Sequence, residues 1–449
     1  MHFSRSSARD VLRLALPAVF EQVLVMLVFT LDTVMVGRYG GREALAAIGV
    51  SAEMVATVSN IFVGMGISIA VTSLVARSFG AGRFKRAEEY ATLSILAATA
   101  SALIIAVLVF LFAGSAVRAA GAEASVHRIA SGYLKIVAVA IFFSMVLSSV
   151  NAVLRGCGNT RIPFAASAIT TAVNLLLDYG LIFGNLGMPE LGVQGAAIAT
   201  VIAQALGLSF SAAYMVTRSR VKPGISHIRT LDMQRLKSFF RLSVPASLQE
   251  GSISIVRLLG QFMIVGLGTR ALAANTMATM IESISFMPGW GFALAASALV
   301  GLKVGEGDYD GAREYAYTSV IMGSAVMGVI SLLFLIFPQQ LISMFVSGGE
   351  EDVVRLGALC LAIGAFEQPT MGASMVSAGV LRGTGDTGTP FKVSFFTSWF
   401  IRMPLTIVFI LFLKAPVWVV WVITAVYWLA DSIFLMRSMD KKLKALGNK

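Results

Sequence analysis

Histidine and cysteine are nearly missing from this chain, with three of the first and two of the second in 449 residues. Cys157 and Cys360 both lie in or beside apolar stretches, and no ligand-type spacing surrounds the histidines, so neither a disulfide framework nor a zinc site has support. Charge is scarce too: 13% of residues are charged, against about 25% in an ordinary globular enzyme. The chain carries no basic stripe with interleaved aromatics, which removes the nucleic-acid reading of its net charge of +11. Beyond a few acids set in apolar stretches there is no His, Cys or paired-acid constellation with a nucleophile, so no catalytic residue, enzyme activity or cofactor is expected. After MHFSRSSARDVLRLALPAVFEQ no small-residue cleavage site follows a short apolar core, and a cleaved signal peptide is not read here.

What is present is apolar sequence: 57% hydrophobic residues and a mean hydropathy of +0.82. Twelve stretches are long enough to cross a bilayer as helices, near 11–36, 46–76, 90–114, 129–154, 164–184, 192–216, 242–267, 275–302, 315–337, 352–381, 391–413 and 416–437. The expected fold is therefore an all-α membrane protein. About 25 of the 35 Lys and Arg fall in the N-terminus, the even-numbered loops and the C-terminal tail, which assigns that face and both termini to the cytoplasm.

The halves repeat. LRLALPAVFEQ answers FRLSVPASLQE, with Pro17 matching Pro245; SFGAGRFKRAEEYA answers KVGEGDYDGAREYA; VLRGCGNTRIPF answers VLRGTGDTGTPF, with Arg155 matching Arg382. The three pairs keep their order at offsets of 225 to 228 residues. The reading is twelve transmembrane helices in two six-helix bundles, related by pseudo-twofold symmetry about the membrane normal. Residues 1–216 form the first lobe, 217–241 a cytoplasmic linker, 242–437 the second lobe and 438–449 a tail. Two parallel repeats enclosing a midplane cleft permit alternating access.

The first apolar segment, VLVMLVFTLDTVMVGRYG, buries Asp32 among apolar neighbours. A carboxylate at that depth costs at least ~2.5 kcal/mol, so it is rare unless it faces a cavity or binds a proton or cation. Asp32 reads as the coupling residue of a transporter; the alternative is a structural Asp bonded to a neighbouring helix. In TTAVNLLLDYGLIFG, Asn174 and Asp178 are four apart and share a helical face. Two neighbouring carboxylates hold a proton or are neutralised by a metal ion. Asn174, Asn151 and Thr200 offer neutral oxygens that suit a hard cation such as sodium, and beyond that no metal is expected. The bland reading is that Asn174 and Asp178 tie helices together. Glu21, four residues after Pro17, is either interfacial or buried.

The early PAxxEQ run, the DTVMVGR stretch with its acid, and the doubled LRGxGxT-x-x-PF motif in two sixes of helices resemble the multidrug and toxic compound extrusion (MATE) family over nearly the whole chain. With Asn174 and Asp178 on one segment, the first half is similar to the DinF-type branch. That resemblance implies a cation or proton site around Asp32, Asn174 and Asp178. It also implies efflux of bulky, often cationic organic compounds by antiport against sodium or protons, from the bacterial inner membrane.

The second half departs from a plain DinF-type pattern, since Glu250, Arg257, Glu282, Glu367 and Arg402 all lie within its apolar segments. Glu250 and Glu367 fall in helices whose acids are proposed to bind sodium in the NorM-type branch. Equally, Arg257, two turns after Glu250, and Arg402 can neutralise the glutamates as buried pairs. For the substrate cavity the sequence offers Met26, Phe29, Met35, Met54, Met65, Met277, Met280, Phe286, Met287 and Trp290, adaptable apolar groups that suit drug-like cations, although most methionines serve packing. The partners expected are drug-like small molecules and membrane lipid, with the chain a monomer. A lipid-linked oligosaccharide or lipid flippase of the same superfamily is the alternative; it calls for a strongly basic cavity, whereas acids outnumber arginines among these midmembrane charges.

Overall fold

Apolar segments without the period-two alternation of strands have one way to satisfy every backbone group in hydrocarbon, which is to form helices. The computed structural model describes residues 5–448 except 63, 120–123, 225–226, 228–231 and 346–350, and leaves undescribed the side chains of Phe29, 42–48, 50–62, 64–65 and 124–125. No strand occurs among the described residues.

In the first half the helices are α1 (Arg5–Phe62), α2 (Gly64–Gly80), α3 (Phe84–Ala119), α4 (Ala124–Gly156), α5 (Arg161–Phe183) and α6 (Val193–Thr217). Helix α1 is two helices joined at Gly41, whose φ of 59° and ψ of −143° are open to glycine alone at low cost. The second half holds α7 (Met233–Val265), α8 (Thr269–Glu306), α9 (Tyr309–Ile336), the short α10 (Pro338–Ser343), α11 (Glu351–Gly364), α12 (Gln368–Gly383), α13 (Gly388–Phe396), α14 (Met403–Thr406) and α15 (Trp418–Gly447). Over the described residues, each of the twelve expected segments lies on one of these helices or on consecutive ones.

Two of the second-half crossings are broken. Between α11 and α12 the backbone tightens into a 3-10 turn, Ala365–Glu367, just before Pro369, which has no N–H to continue the ladder. Around α14 the helix widens into π turns at Thr397–Arg402 and Ile407–Phe412.

By its contacts the chain divides into two compact units, Phe20–Ser247 and Met1–Val19 with Leu248–Lys449. The first six-helix lobe thus gives up its first turns and gains the start of α7, a division that differs from boundaries at 216 and 242. The cause is apolar matching. Val11 and Ala15 of α1 are buried with Phe292, Ala296 and Leu299 of α8. Phe239 and Leu242 of α7 are buried with Ile67, Val71 and Val75 of α2. The stretch expected as a polar linker, 217–241, is accordingly helical from Met233 and buries Val221 and Phe239.

Candidate functional site

In the Phe20–Ser247 unit, α1 delivers Asp32 to the face of α5 that carries Asn174 and Asp178, all three buried, with Asp178 wholly out of contact with solvent. Only one orientation of the Asn174 amide satisfies its surroundings: Nδ2 then donates to Asp32 Oδ1 at 2.9 Å and to Asp178 Oδ2 at 3.3 Å. The two carboxyl groups lie within hydrogen-bonding reach of each other. Asp178 Oδ1 has no donor facing it. The far end of the Asn174 amide, its Oδ1 in this orientation, lies 3.5 Å from Thr200 Oγ1 of α6, a hydroxyl that is also 2.9 Å from the Ala196 carbonyl. Asn174 was expected as a neutral oxygen; here it presents N–H to both acids and clamps them together.

Tyr133 of α4 completes the surroundings, close enough to interact electrostatically with both aspartates. A tyrosine in a mixed apolar segment carries no signal that would single it out in sequence. Asn151, by contrast, is not brought into the cluster. Its Oδ1 accepts from Ser211 at 2.9 Å, and Ser211 follows Thr200 on α6 by about three turns, ~16 Å along the axis. It ties α4 to α6 instead.

In the second unit Glu250 does not pair with Arg257, which lies exposed and has no ion-pair partner among the described residues. Arg382 takes that role: one guanidinium nitrogen donates to Gln249 at 2.9 Å and to Glu250 at 3.1 Å, and the group stacks 5.6 Å over the Trp290 ring. The first half builds the same tie from its own copy of the motif, Arg155 donating to Glu21 at 2.8 Å with both groups buried. Glu21 is therefore a buried, paired acid.

Glu282 and Glu367 face each other, with Arg402 near enough to act on both. Glu367 is completely buried in the turn between α11 and α12, and neither of its oxygens has a hydrogen-bond partner. Arg402 also lies 5.5 Å over the Tyr427 ring. Asp431 of α15 went unremarked in the sequence; it is buried and accepts from Ser374 at 2.5 Å and Thr397 at 2.7 Å. Its signal, one acid inside an apolar run, is the same as that of Asp32.

Of the expected cavity residues, Phe29, Met54 and Met65 lie outside the described side chains. Met35 packs into the core formed by α4 and α6, and Met277 packs into the core of the second unit. Phe286 stacks on Trp290 at 6.4 Å, and both border a buried cluster of Ala293, Met327, Met371 and Met375. Met26 and Met287 are half-buried and Met280 is exposed. The nearest thing to an aromatic, sulfur-rich wall is thus within the second unit, under Arg382.

The chain matches the MatE family model over residues 17–180 and again over 245–408, so the two matched blocks coincide with the internal repeat. It is 27% identical to a probable multidrug resistance protein NorM of Thermotoga maritima, covering 98% of this chain and 92% of that protein. It is 30% identical to a probable multidrug resistance protein NorM of Rhizobium meliloti, over 88% of this chain and 87% of the relative. Its fold superposes on a crystal structure of a mutant of the Vibrio cholerae MATE transporter VcmN with a TM-score of 0.90, at 21% identity and 98% coverage of both chains.

Proposed function

The chain belongs to the MatE family, and from that premise we propose that it exports drug-like, often cationic organic compounds by antiport against protons or sodium, switching access alternately between the two sides of the inner membrane. Both termini lie on the cytoplasmic side in this reading, as the Lys and Arg distribution indicates. The observation that carries it is the Asp32–Asn174–Asp178 cluster. Two carboxyl groups held together by one amide repel unless a proton or a cation lies between them, and Asp178 Oδ1 is a buried acceptor still lacking a donor. Loading that position with the ion removes the repulsion and changes the packing of α1 against α5.

Coupling then needs only differential affinity. If the loaded pair and the bound drug favour opposite states of the protein, each expels the other, by the same factor in both directions. Glu282, Glu367 and Arg402 form a second buried charged group in the other unit, and in this reading they respond to substrate or ion after the first site.

The test is ethidium or norfloxacin accumulation in cells with and without the protein, with sodium and pH gradients imposed separately. Lower accumulation in expressing cells that depends on one of the gradients is the expected result. Accumulation indifferent to expression, alongside normal protein levels, contradicts the proposal and turns attention to lipid-linked substrates.

A further inference from the structure

The repeat brings the α2–α3 turn of the first half into register with the α8–α9 turn of the second, and the two differ in charge. In the second half, Asp308 caps α9: its Oδ1 accepts from Gly311 N at 2.8 Å, and Lys303 lies 3.0 Å from Oδ2. Glu306 and Asp310 add two more acids. The residues in register are Arg83 for Asp308, Lys85 for Asp310, Arg86 for Gly311, Ala81 for Glu306 and Ser78 for Lys303. The self-made carboxylate cap of one half is replaced by three cations in the other.

Those cations line a cavity of about 470 Å³ bounded by Gly82–Arg86, Glu89 and Arg235. The two neighbouring acids are already engaged: Glu89 with Arg235 at 2.9 Å, and Glu88 with the Lys222 N–H at 3.2 Å and His227 at 3.5 Å. Arg83, Lys85 and Arg86 are exposed and have no carboxylate partner among the described residues. No acid stands in the first turn of α3, and its backbone ladder begins only with Ala87 N to Arg83 O, so the amides of Phe84, Lys85 and Arg86 open toward the same side. The volume is that of a small-molecule site, and four of its seven lining residues are cations, the one acid among them, Glu89, being paired with Arg235.

We propose that this cavity holds the phosphate of an anionic phospholipid headgroup. Two features favour a lipid over a free anion. Phe84, 41% exposed and set edge-on against Phe79, gives the rim an apolar side chain beside the charges. The strongly apolar part of α3 begins only six to nine residues after Phe84, ~9–14 Å along the axis, which places the cations within side-chain reach of the headgroup layer. Basic pockets at that level beside transmembrane helices suit such headgroups. The inference rests on the membrane placement given above and not on the export reaction.

The full-length protein is reconstituted in nanodiscs of phosphatidylcholine with or without phosphatidylglycerol, and lipid retained after delipidation is counted by native mass spectrometry. Arg83→Asp with Lys85→Asp rebuilds the carboxylate cap of the other half, so folding is expected to hold. Arg83→Ala with Lys85→Ala serves the same purpose should the aspartates fail to fold. Phosphatidylglycerol retained selectively by the native chain, and lost about tenfold or more in either variant, is the expected result. Equal retention in variants of normal thermal stability overturns the proposal. Binding of inorganic phosphate alone, with displacement of lipid by it, overturns the lipid assignment. Ethidium export measured on the same variants separates this outcome from a failure of the transport reading.

Discussion

Gly66 of α2 lies against Ser247 of α7 so closely that a Cβ on Gly66 would stand 2.9 Å from the Ser247 N and 2.7 Å from the Ser243 carbonyl oxygen. Its counterpart in the repeat, Gly291 of α8, meets Val19 of α1 in the same way, with 2.7 Å from a built Cβ to the Val19 Cα. Each glycine therefore seats the segment after Pro17 or Pro245 on which the chain passes from one unit to the other. Gly66→Ala and Gly291→Ala are expected to lower stability by roughly 1–3 kcal/mol through overpacking against backbone. Gly260→Ala, where a Cβ meets nothing within 4 Å, is expected to be neutral or stabilising. Thermal unfolding in detergent separates the two outcomes.

The Arg155–Glu21 pair is buried on both sides. Arg155→Ala is expected to cost about 3–5 kcal/mol, because it strands a buried acid. Arg155→Ala with Glu21→Gln is expected to recover a substantial part of that loss. A double-mutant cycle on unfolding midpoints checks it; single and double variants of equal stability would contradict the pairing.

Asp308 caps α9, and its carboxyl is held below the ordinary value of 3.8 first by the Gly311 N–H and then by Lys303. A depressed folded value means that the contribution is complete above about pH 4 and is lost as pH falls through the lower, folded value. Asp308→Ala is expected to cost ~1 kcal/mol at neutral pH and Asp308→Asn much less. Stability curves of the native and Ala proteins should converge only in strong acid; a constant gap down to pH 2 would contradict this.

Asp32 and Asp178 were legible because an acid in hydrocarbon is costly wherever it falls, and i, i+4 spacing fixes a helical face without tertiary information. Thr200 was offered beside Asn151 as a neutral oxygen, and of the two it is Thr200 that lies next to Asn174. Asn151 misled because two polar residues in neighbouring helices meet only at the right height, and that register is set by packing: Gly207 against Leu147 and Thr170 aligns α6 so that Ser211, not Thr200, reaches Asn151. Arg257 misled for a related reason, since seven-residue spacing puts it on the face of Glu250 but the partner comes from Arg382, 132 residues away. The repeat already held that answer, as Arg155 and Arg382 occupy matched motifs. The transfer of the first turns of α1 and α7 between units has no one-dimensional signature, because Val11 and Phe239 are ordinary apolar residues whichever core receives them.

The proposed antiport ties occupancy of the Asp32–Asp178 pair to substrate. It is tested most directly by following proton release when ethidium is added to the purified protein, with and without sodium, in the native chain and in Asp32→Asn. A release from the native protein, or a sodium-dependent displacement in its place, that vanishes in a folded Asp32→Asn variant is the expected result. The same release from both proteins would contradict the account.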